Sequence, residues 1–120
     1  MSKRNIPLFV YGTLKRGFYN HGLIKDQDFV SAAKTEPGFI IYMNGVPEMV
    51  REGEKEVLGE FFKLDEKTFE LVDRLEGHPI YYKRDIILIE LEDGTKTKAW
   101  AYLRPNVHKG TKRTKDIEYV

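Results

Sequence analysis

Short apolar runs broken by turn residues dominate the hydrophobic pattern of the chain, and they read mostly as strands. Leu8-Phe9-Val10 is a short strand that runs into a sharp turn across Tyr11-Gly12-Thr13-Leu14-Lys15-Arg16-Gly17. Phe29 to Thr35 and Phe39 to Met43 read as two more strands, separated by Glu36-Pro37-Gly38 and closed by Asn44-Gly45. Val57 to Leu64 is a longer run rich in aromatic and branched residues. At Asp65 the pattern changes. Asp65 can cap a helix that continues to about Glu76, with acidic Glu66 in its first turn and Gly77 and Pro79 after its end. Arg84 to Glu92 and Thr95 to Leu103 flank Asp93-Gly94, the strongest short hairpin signal in the chain. A two-residue turn there would set Glu92 opposite Thr95 and Ile87 opposite Trp100. A further short helix is expected near Asn20 to Lys25. Past Leu103 the apolar pattern fades, and residues 104–120 read as a basic, loosely held tail. With five or six strands, one main helix and a short one, the expected class is α+β: a small mixed, barrel-like sheet covered by helices, formed by residues 1–120 as a single domain.

Composition supports a packed core. Seven Phe, seven Tyr and one Trp in 120 residues separate the chain from disordered sequences, which are poor in aromatics. No apolar run approaches the ~20 residues of a membrane helix, and the aliphatic run Ile86-Ile87-Leu88-Ile89 stops at Glu90. The basic start, Met1-Ser2-Lys3-Arg4, is followed by an apolar run too short for a secretion signal. The absence of cysteine removes disulfides, thiolate metal sites and a cysteine nucleophile together, and fits a cytoplasmic location. Charged residues make up 32% of the chain and Gln occurs once, a bias that leans towards heat adaptation. The net charge of +1 creates no global field, but Arg104, Lys109, Lys112, Arg113 and Lys115 gather in one stretch without an acid.

The helix carries the sharpest local chemical signal. At 100° per residue, with Phe69 at zero, Leu71, Leu75, Thr68 and Val72 fall between about 200° and 300° and Glu76 at about 340°. That places a carboxylate within the apolar stripe. Burial and the negative end of the helix dipole would both raise its pKa, as a base working near neutral pH requires. The plainer reading, a frayed last turn that lets Glu76 reach water, stays open from the helix alone. Asp73 borders the stripe and reads as an orienter or a solvated residue rather than a second catalytic acid. The turn from Tyr11 to Gly17 can bring backbone N–H groups close to an anion. Its glycines have the spacing of a P-loop, but Phe18-Tyr19 stands where Lys and Ser/Thr belong. His21, His78 and His108 lack metal-ligand spacing and read as surface or capping histidines, and no G-x-S-x-G elbow is present.

Four motifs in order carry a family resemblance. Phe9 to Gly17 with Asn20-His21, then Val57-Leu58-Gly59-Glu60-Phe61, then Leu71 to Gly77 with Asp73 and Glu76, and finally Tyr82-Lys83-Arg84 resemble the signatures of the γ-glutamylcyclotransferase-like superfamily, closest to its γ-glutamylamine cyclotransferase branch. The resemblance covers about residues 7 to 103. It implies that Glu76 is the catalytic glutamate, that Tyr11, Gly12, Thr13 and Leu14 form the substrate-binding loop, and that Tyr82 lies near the pocket. The implied reaction is attack of the α-amino group of a γ-glutamyl amide on its own amide carbonyl, giving 5-oxoproline and an amine or amino acid, with no metal and no cofactor. The leaving group and the oligomeric state are not read from the sequence. A different reading makes the chain a non-catalytic binding module whose basic tail touches nucleic acid, although a solvated terminus accounts for that tail more simply.

Overall fold

The computed structural model describes residues 3–43 and 45–105, together with the backbone of residues 112–114. Its strands are β1 (Ile6–Val10), β2 (Asp28–Thr35), β3 (Phe39–Met43), β4 (Pro47–Lys55), β5 (Leu58–Leu64), β6 (Lys83–Leu91), β7 (Lys96–Leu103) and β8 (Lys112–Thr114). The helix α1 spans Glu66–Glu76, and a single 3-10 turn covers His21–Leu23. Five strands close a barrel in the order β1-β5-β2-β6-β7, shut by a parallel contact between Leu8 and Trp100. A second sheet, β4-β3-β8, stands beside it. The α+β class and the barrel-like mixed sheet expected from the sequence are what the chain adopts.

Strand alternation explains how the barrel is covered on both sides. On β1 and β5, Phe9 and Phe61 point into one core with Ile87, Ile89, Ala99 and Ala101. Their neighbours Leu8, Val10, Phe62 and Leu64 point the other way, into a second core with Phe69 and Val72 of α1. β1 is therefore apolar on both faces from Leu8 to Val10, and β5 is apolar on both faces at Phe61-Phe62. Gly59 permits their close pairing: a Cβ there would sit 2.3 Å from the Val10 carbonyl oxygen and 2.6 Å from the Phe9 ring.

Three expectations are corrected. The hairpin loop has three residues, because Leu91 N–H donates to the Thr95 carbonyl at 2.7 Å and Gly94 takes a left-handed φ of 89°. Asp93 fixes that loop by accepting from Thr95 N–H at 2.9 Å. The register consequently moves by one: Ile87 faces Ala99, and Trp100 faces Ile86. The second correction concerns α1. Thr68, Phe69 and Val72 form its buried face, while Leu71 and Leu75 are 39% and 43% exposed, so the apolar stripe is narrower than the wheel suggests. The third is an added strand. β4 begins with proline, contains Gly53 and has five charged residues among nine, a composition that hides it from pattern reading.

The tail expected over residues 104–120 lies largely outside the described residues. Within it, Arg104 is buried and residues 112–114 pair with β3.

Candidate active site

The loop that follows β1 is tied down at every turn. Arg16 donates its backbone N–H and its Nε to the two carboxylate oxygens of Glu60 on β5, at 2.8 and 3.1 Å. Asn20 holds Thr13 twice, by N–H to the Thr13 carbonyl and by Nδ2 to the Thr13 hydroxyl, both at 2.9 Å. His21 Nδ1 lies 3.0 Å from the Leu14 carbonyl. Tyr11, buried, donates its hydroxyl to the Tyr102 carbonyl at 2.6 Å and accepts from Met49 N–H at 3.2 Å, which joins β7 to β4 beneath the loop. Gly12 passes so close to Pro47 that a Cβ would lie 3.1 Å from its ring.

Glu76 closes α1 opposite this loop. The helix starts at Asp65, whose side chain accepts from Thr68 N–H at 2.8 Å. It ends in a Schellman pair, His78 N–H to the Asp73 carbonyl and Gly77 N–H to the Arg74 carbonyl, with Gly77 left-handed at φ 66°. The last turn is therefore formed, and Glu76 is held against the protein. Burial pushes its carboxyl up to about 7. The Glu76 carbonyl accepts from Tyr82 N–H at 3.2 Å, and the Tyr82 hydroxyl reaches on to the Pro47 carbonyl at 3.1 Å. Burial, then the Glu76 charge, raises the Tyr82 phenol far above its ordinary range, so it stays a neutral donor.

Between these parts opens a cleft of ≈ 210 Å³. Tyr11, Gly12, Thr13, Leu14, Glu76 and Tyr82, the six residues singled out in the sequence, all line it. Its wall also includes Asn20, Val46, Pro47, Leu75, Tyr81 and Tyr102. Asn20 is legible in the opening motif, and Tyr81 adjoins Tyr82. Val46 and Pro47 have no sequence signal, because they introduce the hidden strand β4. Asp73 does not line the cleft. It accepts from Arg84 Nε at 2.9 Å and from the Tyr102 hydroxyl at 2.5 Å. Of the histidines, His21 braces Leu14, His78 Nδ1 accepts from Arg84 N–H at 3.2 Å, and His108 lies outside the described residues.

The arrangement places one carboxyl of near-neutral pKa in a cleft that it shares with the Tyr11 to Leu14 loop and with aromatic and aliphatic walls.

A family model described as gamma-glutamyl cyclotransferase, AIG2-like, matches residues 8–119. The chain is 42% identical over 101 residues to a Methanocaldococcus jannaschii protein that carries the provisional name of gamma-glutamylcyclotransferase, across 82% of this chain and 83% of the relative. It is 31% identical over 94 residues to the human protein named gamma-glutamylaminecyclotransferase, across 70% of this chain and 61% of the relative. The crystal structure of an AIG2-like protein from Mus musculus superposes with a TM-score of 0.81 at 26% identity, over 89% of this chain and 82% of that one. The chain belongs to the gamma-glutamyl cyclotransferase, AIG2-like family.

Proposed function

We propose that the protein cleaves γ-glutamyl amides of apolar amines by intramolecular cyclisation, with Glu76 as the proton carrier. The observation that carries this reading is the Glu76 carboxyl, raised by burial to about 7 in a cleft that it shares with the Tyr11 to Leu14 loop. A base must take a proton from an ammonium and then return it to a departing nitrogen, and a pKa near the working pH serves both steps.

The loop binds the α-carboxylate or the polarised carbonyl oxygen through its N–H groups. Glu76 takes a proton from the α-ammonium, and the freed amine attacks its own γ-carbonyl carbon. The new C–N bond closes a five-membered ring as the amide C–N bond breaks. The α-nitrogen loses two protons on becoming a lactam N–H, and the leaving nitrogen gains two on departing as an ammonium, so Glu76 ends as the carboxylate it began. Tethering the nucleophile supplies an effective molarity on the order of 10⁵ to 10⁸ M, which leaves the protein mainly positioning and proton transfer to contribute.

The cleft chemistry favours an amine over an amino acid as leaving group. Among the described residues that line it, Glu76 is the only charged side chain, so a second carboxylate would meet no Lys or Arg there. Val46, Leu75 and Tyr81 offer an apolar path instead.

A mass-spectrometric screen of γ-glutamyl compounds for released 5-oxoproline tests the proposal. Turnover of γ-glutamyl alkylamines ahead of γ-glutamyl amino acids is expected. Release of glutamate in place of 5-oxoproline would count against cyclisation. The nucleic-acid reading gains nothing from Arg104, which is buried against Glu48.

A further inference from the structure

We infer that Tyr81 is the wall that selects the leaving amine, and that the buried pair Glu48 and Arg104 holds it in place; the inference rests on the cyclotransferase reading above. The residues of the cleft sort by depth. Phe9, Val10, Tyr11 and Leu14 are buried at its floor, whereas Val46, Leu75 and Tyr81 remain 37%, 43% and 42% exposed and so form its mouth. With the glutamyl head on the loop and its amide at Glu76, the group beyond the amide nitrogen passes these three side chains. Tyr81 brings the largest apolar face among them.

A tyrosine this exposed ordinarily keeps rotamer freedom, and this one is anchored at three points. Its hydroxyl donates to Glu48 Oε2 at 3.2 Å. Its backbone carbonyl accepts from Arg104 Nη1. Its ring lies against the Arg104 guanidinium, whose central carbon is 4.1 Å from the ring centroid. The two anchoring residues come from distant parts of the chain. Glu48 sits on β4 and Arg104 directly follows β7, where its N–H donates to the Met49 carbonyl at 2.9 Å. Arg104 Nε is 3.5 Å from Glu48 Oε2, and the two side chains are 6% and 0% exposed. A buried ion pair stabilises a fold little more than well-packed apolar residues of the same size would, because desolvation offsets the attraction. Its presence beneath a half-exposed ring is better explained by where it puts that ring. Glu48 and Arg104 are thus positioning residues, and Tyr81 is the specificity-determining one.

The test compares γ-glutamyl-methylamide with γ-glutamyl-n-pentylamide as substrates of wild-type protein, Tyr81→Ala and Tyr81→Phe. Tyr81→Ala is expected to lower kcat/KM for the pentylamide about tenfold more than for the methylamide, chiefly through KM. Tyr81→Phe keeps the ring and loses only the hold on Glu48, for an expected loss of about threefold in pentylamide preference. Equal loss on both amides, or no loss, in Tyr81→Ala would overturn the wall. An unchanged preference in Tyr81→Phe would overturn the anchoring by Glu48. Calorimetric binding of both amides to Glu76→Gln, with and without Tyr81→Ala, separates this inference from the reaction itself. If wild-type protein releases no 5-oxoproline the cyclotransferase reading fails, yet a pentylamide preference that Tyr81→Ala removes would still uphold the wall. The absence of any such preference in binding would overturn it.

Discussion

Asp73 and Arg84 meet across the junction of α1 and β6, with Arg84 Nε 2.9 Å from Asp73 Oδ1. The guanidinium lies 4.6 Å from the ring centroids of both Phe69 and Trp100, so one side chain fastens the helix to the barrel by charge and by stacking. Asp73 also accepts from the Tyr102 hydroxyl, which ties the base of the cleft to the same point. Arg84→Ala is expected to cost about 2 kcal/mol, since the pair is partly shielded and two ring contacts go with it. A thermal melt should register that as a fall of roughly 8 °C. Arg84→Lys restores the charge without the planar stack and should recover less than half. A melting temperature unchanged in both variants would mean that helix and barrel are held otherwise.

Thr13→Ala and Gly12→Val separate two ways in which the loop could act. The Thr13 hydroxyl accepts from Asn20 Nδ2, so its removal loosens the loop but leaves every backbone N–H present. A side chain at Gly12 would press on Pro47, where a Cβ alone comes within 3.1 Å of the ring, and would crowd the cleft. Steady-state kinetics should show a smaller fall in kcat/KM for Thr13→Ala than for Gly12→Val. The reverse order would make the hydroxyl the main contact with substrate.

Much of this architecture is legible in the sequence because local rules decide it. Phe39 and Met43 bound β3 where the pattern puts them, Asp65 caps α1 through its carboxylate, and Gly77 ends it in the left-handed conformation that the lack of a side chain allows. Glu76 stands out on the helical wheel because burial of one face is a periodic property. The parts that escape depend on distant partners. Pro47-Glu48-Met49 becomes a strand only because β3 pairs with it and because Tyr11, Tyr81 and Tyr82 each hydrogen-bond to it, which no local pattern records. Asp93-Gly94 signals a hairpin equally well with two or three loop residues, and the extra residue moves every cross-strand neighbour by one. Leu71 and Leu75 look like core on a wheel, yet the barrel meets α1 through Phe69 and Val72. Leu75 is left to line the cleft.

Glu76 links activity to pH and stability with opposite signs. Burial raises its carboxyl from 4.5 to about 7, so the folded protein holds that proton more tightly than the unfolded chain does. The contribution of this group to stability is therefore fully present below pH 4.5 and lost as pH rises to about 7, by at most about 3 kcal/mol. Denaturant titrations of Glu76→Gln, which has no proton to lose, should show a flatter pH dependence across that window than wild type. Turnover runs the other way: kcat/KM should rise with an apparent pKa near 7 as the carboxylate forms. Glu76→Gln should keep its cooperative melt and lose about 10² to 10⁴ in rate. A residual rate within about tenfold of wild type would remove Glu76 from the proton-carrying role.

The identity of the nucleophile gives the last prediction. The charged groups that line the cleft reduce, among the described residues, to the Glu76 carboxyl, and the hydroxyl of Thr13 is engaged by Asn20. An amine already tethered to the reacting carbonyl competes strongly with any external water, because closure of a five-membered ring loses little further entropy. Acetylating the α-nitrogen removes both its basicity and its lone-pair nucleophilicity while leaving the amide, the α-carboxylate and the leaving amine in place. An N-acetyl γ-glutamyl alkylamide should therefore persist unchanged with the enzyme, and the free-amine parent should give 5-oxoproline with no glutamate. Mass spectrometry of the two reaction mixtures reads both outcomes at once. Turnover of the acetylated compound, or glutamate from the parent, would show that water attacks, and Glu76 would then have to be a base for hydrolysis.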